Sequence, residues 1–79
     1  MFKVRILSAD ATLFEGEVEA AFLPGTLGKF EVMDHHADLM STLGKGTVRL
    51  RKNGKVTETR ITSGIVRIKD SELTACVEL

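Results

Sequence analysis

Apolar and polar side chains alternate with a period of two along most of the chain. In "FKVRIL", Phe2, Val4 and Ile6 alternate with Lys3, Arg5 and Leu7, the pattern of a strand with one face on a core. In "TVRLRK", Val48 and Leu50 fall on the inward parity and Arg49 and Arg51 on the outward one. Asn53-Gly54 then separates this run from "KVTETRI". A type I′ turn needs positive φ at both central residues, so this pair predicts a tight hairpin. A second hairpin is predicted where "IVRIK" meets "ELTACVEL" through Asp70-Ser71, with Leu73, Ala75 and Val77 on one face and Thr74, Cys76 and Glu78 on the other.

Two segments are ambiguous. "TLFEGEVEAAFL" begins by alternation, with Glu15, Glu17 and Glu19 on one side, and loses the pattern at Ala20-Ala21. A bulge or a change of face accounts for the break. "DLMSTL" reads as a strand or as part of a short helical turn in "HHADLMSTL". No window of helical length has sustained i, i+3, i+4 apolar spacing. Gly25, Gly28, Gly44, Gly46, Gly54 and Gly64 stand at expected strand ends. The expectation is an all-β fold, a small flattened β-sandwich of about ten short strands in two sheets, with residues 1–79 forming one domain.

Length and charge narrow the function. A chain of 79 residues supports one modest core and tolerates few unpaired buried charges. Eleven Lys and Arg balance eleven Asp and Glu, which argues against a field strong enough for bulk nucleic acid or an anionic membrane. The single cysteine, Cys76, excludes an internal disulfide and reads as a small hydrophobe in a strand. The longest unbroken apolar run, Ala20 to Leu23, is far too short to span a bilayer. The N-terminus lacks the pattern of a signal peptide, so a cytoplasmic location is expected.

The stretch "DHHAD" has the donor types of a metal site in Asp34, His35, His36 and Asp38. Its spacing is poor. Adjacent histidines on a strand face opposite ways, and on a helix they diverge by about 100°. The string is similar to the signature of the DHH phosphoesterases, which need further motifs on a much larger domain. Ser41, Ser63 and Ser71 lack the context of an activated nucleophile. "PGTLGKF" has glycines but no Gly-Lys-Ser/Thr and no following helix, so it reads as turns. Lys45, Arg49, Arg51, Lys52 and Lys55 make a basic hairpin, without the aromatic partners that a nucleic-acid-binding face usually carries. A basic strand face that blunts edge pairing is the plainer reading. No cofactor, metal or catalytic residue is expected.

The order of motifs resembles the β-sandwich domain of the epsilon subunit of F-type ATP synthases, called delta in mitochondria. "VRILSADATLFEGEV", Val4 to Val18, is similar to that family's opening block. "LPGTLGKFEVMDHHADLMSTLGKGTVRL", Leu23 to Leu50, is similar to its L-P-G-x-x-G-x-F and H-A-P-L segments. "SGIVRIKDSELTACVEL", Ser63 to Leu79, is similar to its last block. The resemblance implies a non-catalytic subunit of the central stalk that joins the gamma subunit to the polar loops of the c-ring and transmits ion-driven rotation. It implies contact with the membrane only through the complex, on the cytoplasmic side of the energy-coupling membrane. Carried over by position, His36, Ala37, Leu39, Met40 and Ser41 are expected toward gamma, and Thr26, Leu27, Gly28, Lys29 and Phe30 toward the c-ring. The alternative is a small domain that binds nucleic acid through the basic 45–55 hairpin.

Four departures stand out. Asp34 and His35 replace the family's Pro and Gly before His36, and Asp38 replaces the Pro after Ala37. Lys29 stands where an acid is common. Longer members continue into a helical hairpin that binds ATP, and Leu79 precedes any such segment, so these residues are not expected to bind nucleotide.

Overall fold

The computed structural model describes all of residues 1–79 and contains nine strands and no helix. They are β1 Phe2–Leu7, β2 Thr12–Val18, β3 Ala20–Gly25, β4 Gly28–Met33, β5 Leu39–Leu43, β6 Gly46–Lys52, β7 Lys55–Ile61, β8 Ser63–Lys69 and β9 Glu72–Glu78. Their order is β2-β1-β9-β8-β5-β3-β6-β7, with β4 on the other edge of β3. All pairings are antiparallel except β1 with β9.

The two expected sheets are one continuous sheet of nine strands rather than ten in two. Five strands, β2-β1-β9-β8-β5, form one layer, and β4-β3-β6-β7 form the other. They join where Gly25 pairs with Leu43, the sole ladder pair between β3 and β5. Backbone bonds from Thr26 N to Thr42 O (3.1 Å) and Gly44 N to Pro24 O (2.8 Å) extend that seam. Sixteen buried residues from both layers form a single cluster, including Val4, Ile6, Leu23, Val48, Val66 and Leu73. The sheet therefore folds over on itself as a sandwich. Its extents of 26 × 22 × 20 Å show only slight flattening.

The pattern break at Ala20-Ala21 is a change of layer. β2 ends at Val18, and Glu19 turns the chain so that β3 pairs with β4 and β6 instead of β1. Ala21 faces the core, and Ala20, also fully covered, lies on the outward parity between Met33 and Arg51. Glu19 fixes this corner twice. Its N–H donates to the Arg51 carbonyl at 2.8 Å, and its carboxylate accepts from the Asn53 N–H. The bulge lies earlier, where Ile6 pairs with Phe14 and Leu7 with Thr12, so Leu13 is the unpaired residue. Thr62 makes the return crossing, with its N–H donating to the Glu78 carbonyl at 2.8 Å.

Both predicted hairpins form. Asn53 and Gly54 have φ of 51° and 77°, and Asp70 and Ser71 have 52° and 62°. "DLMSTL" is a strand, because Leu39 and Leu43 supply apolar side chains to the core from alternate positions of β5. The arginines of β6 do not guard an edge. β6 lies between β3 and β7, and β7 is the edge strand. No buried polar side-chain atom lacks a partner.

Candidate interaction surface

The residues of "DHHAD" form the turn between β4 and β5 and are held by different partners. Asp34 Oδ2 accepts from the Met1 amine at 3.0 Å, which holds the Asp34 carboxyl below its ordinary range. His35 has φ of 63°, and its N–H donates to Asp34 Oδ1 at 3.1 Å. His36 Nδ1 lies 2.7 Å from the Ala37 carbonyl oxygen. A carbonyl only accepts, so Nδ1 carries the hydrogen and Nε2 is left for a partner. Asp38 Oδ1 accepts from the Asp70 N–H at 3.0 Å, tying this turn to the β8–β9 turn. Nowhere do three His, Cys, Asp or Glu side chains gather as a metal-ligand cluster.

The strand that follows separates the expected gamma-facing residues. Met40 points outward and is 69% exposed. Leu39 and Ser41 have the opposite parity and pair with buried Ile68 and Val66. Leu39 packs against the core, so it supports the surface rather than forming it. His36 is half-buried and Ala37 is exposed at the start of this run.

Strand register shows what surrounds Met40. Across the outer face, Met40 pairs with Arg67, Arg67 with Thr74, Thr74 with Arg5, and Arg5 with Glu15. The next row is Thr42, Ile65, Cys76, Leu7 and Thr12, with no charge in it. On the other side of the Met40 row, Lys69, Glu72, Lys3 and Glu17 alternate in sign. The face is thus an uncharged strip beside Met40, with charged rows along that side of it, Ile65 52% exposed and the Cys76 thiol open. An apolar centre with a charged border is the usual make-up of a protein-binding face. Sequence reasoning missed Ile65, Cys76 and Leu7. The signal was present in Ile65, an isoleucine on the outward parity of β8.

Thr26 and Leu27 form the turn between β3 and β4. Leu27 is fully exposed, and Lys29 is exposed beside it. Phe30 turns inward and packs against the core. A Cβ on Gly25 would come within 2.6 Å of the Gly28 carbonyl oxygen and 2.9 Å of the Phe30 ring, so only glycine permits this close turn. Gly28 itself has φ of 137°. Thr26 Oγ1 is 2.6 Å from Thr42 Oγ1, which fastens the turn to β5. The Thr26–Leu27 turn therefore lies at the Thr42–Leu43 end of β5, and His36 and Ala37 precede its Leu39 end, about 15 Å away.

The family model of the ATP synthase delta/epsilon chain β-sandwich domain matches residues 1–78. The chain belongs to this family. Its members include the ATP synthase epsilon chain of Leptospira interrogans, 37% identical over 71 residues, covering 90% of this chain and 56% of the relative. The epsilon chain of Desulfitobacterium hafniense is 32% identical over 73 residues, covering 92% and 55%. The chain thus spans little more than half the length of these delta/epsilon relatives. The family fold recurs in a solved structure of the Euglena gracilis mitochondrial ATP synthase, described as OSCP, F1 and c-ring, with TM-score 0.87 and 18% identity over 94% of this chain and 48% of that one. It recurs in the central stalk and c-ring structure of the Tetrahymena thermophila mitochondrial ATP synthase, with TM-score 0.82 and 14% identity over 98% and 63%.

Proposed function

We propose that this delta/epsilon β-sandwich is a non-catalytic rotor element of an F-type ATP synthase that couples the gamma subunit to the c-ring. The observation that carries the reading is the family match across residues 1–78. The uncharged strip of Ile65, Cys76 and Leu7, with Met40 beside it, supports a gamma-facing side, and His36 and Ala37 lie beyond the Met40 row, ahead of β5. The Thr26–Leu27 turn, with Lys29 beside it, supports a c-ring-facing end. Attachment to the energy-coupling membrane is then indirect, through the complex, on its cytoplasmic side.

The physical task is to resist shear. Gamma must not slip when the ring turns, so the body between them has to move as a unit. One core spans both layers, and packed interiors transmit strain instead of absorbing it. The Thr26–Thr42 bond and the Asp38–Asp70 bond fasten the two contact turns to neighbouring strands. Family membership favours this reading over nucleic-acid binding through the 45–55 hairpin.

Replacing Met40 and Ile65 together by Glu introduces two charges on exposed positions and leaves the core intact. Affinity for isolated gamma should fall by about tenfold or more, with the circular dichroism spectrum unchanged. Wild-type affinity in the double variant would reject this face. Failure of the unmodified chain to bind gamma at micromolar concentration would reject the function.

A further inference from the structure

The charges of this neutral chain are sorted by layer. Strands β4, β6 and β7 carry six of the eleven Lys and Arg residues, and only Glu31 and Glu58 of the eleven acids. On this layer's outer face lies an open cleft of about 470 Å³. Phe22 and Pro24 of β3 lie along it. Lys29 and Glu31 of β4 form one bank, and Thr47 and Arg49 of β6 form the other, with Lys45 at the end. Arg49 is neutralised by Glu58 at 2.7 Å. Lys29 and Lys45 make no ion pair. Arg51 lies over the Phe22 ring at 5.8 Å and extends the positive wall.

We propose that this cleft binds an acidic polypeptide segment, with an apolar side chain against Phe22 and carboxylates reaching Lys29 and Lys45. Charge complementarity sets the sign of the partner, and width sets its form. The banks are two strand spacings apart, about 10 Å, room for one extended chain. A lipid surface or a nucleic-acid duplex is too broad to enter a cleft about 10 Å across and reach Phe22 between its banks. A narrow chain follows β3 past Glu31 and meets the two free lysines. The inference stands on the cleft and does not rest on the rotor assignment.

The test is a titration of the ¹⁵N-labelled full chain at low salt with the capped peptide Glu-Glu-Leu-Glu-Glu, its Gln-Gln-Leu-Gln-Gln counterpart, phosphatidylglycerol vesicles and a single-stranded oligonucleotide. The acidic peptide should shift the amides of Phe22, Lys29, Lys45 and Thr47, and the Gln peptide should not. Lys29→Glu with Lys45→Glu should weaken peptide binding about tenfold, while amides outside the cleft keep their positions. Lys29→Gln with Lys45→Gln should weaken it less. No response to the acidic peptide, shifts located elsewhere, or binding to vesicles or oligonucleotide in place of the peptide would each overturn the proposal.

Discussion

At the scale of single residues, the polar turn before β5 is held by specific acceptors. Asp34 and Asp38 both accept hydrogen bonds across the fold. The Asp34 carboxyl is held below its ordinary range, first by the hydrogen bond from the Met1 amine. A carboxyl with a depressed folded-state pKa adds stability above its unfolded value. That contribution is lost as pH falls through the folded value. The melting temperature of wild type should therefore fall more steeply than that of Asp34→Asn between about pH 5 and pH 2. Parallel acid limbs in a thermal melt series would show that the pair contributes nothing. The effect is small because Asp34 is exposed.

At the scale of elements, turn chemistry and periodicity explain what the sequence disclosed. Asn53-Gly54 named its hairpin because few other pairs adopt two left-handed residues cheaply. Strand parity was legible wherever one face was wet, as in β1, β6 and β9. It was illegible at Ala20-Ala21, because the chain changes layer at Glu19 and the inward parity shifts from Val18 in β2 to Ala21 and Leu23 in β3. It also hid the bulge at Leu13, where one residue leaves the ladder without any change in composition. The Asp70-Ser71 turn is the weaker hairpin, since neither residue is glycine and both have positive φ. Ser71→Gly should raise stability by about 0.5–1 kcal/mol, read as a shifted urea midpoint with unchanged slope. A lower midpoint would mean that Ser71 contributes more through its side chain than it loses in backbone strain.

At the scale of the molecule, sequence resemblance proposed the site segments, and strand register sorted their residues by face. Carry-over by position grouped Leu39, Met40 and Ser41. The pleat sends Met40 outward and the other two inward. Ile65, Cys76 and Leu7 come from three strands far apart in sequence, so only the pairing of β8, β9 and β1 brings them beside Met40. The basic hairpin changed meaning in the same way. Lys45, Arg49 and Arg51 share a face with Lys29 and Phe22, which lie on other strands, whereas Lys52 and Lys55 take the opposite parity. The body thus has an uncharged strip on one layer and a cationic cleft on the other, with one shared core between.

The central claim is that the uncharged strip on the β5–β8–β9–β1 layer meets gamma, and the chain carries its own probe there. Cys76 is its only thiol and lies in that strip, opposite Ile65 and Leu7. The most direct measurement is the rate at which a maleimide alkylates Cys76 with and without saturating gamma. Fast labelling of the free chain and strong protection in the complex are predicted. Equal rates in a demonstrated complex would contradict the account.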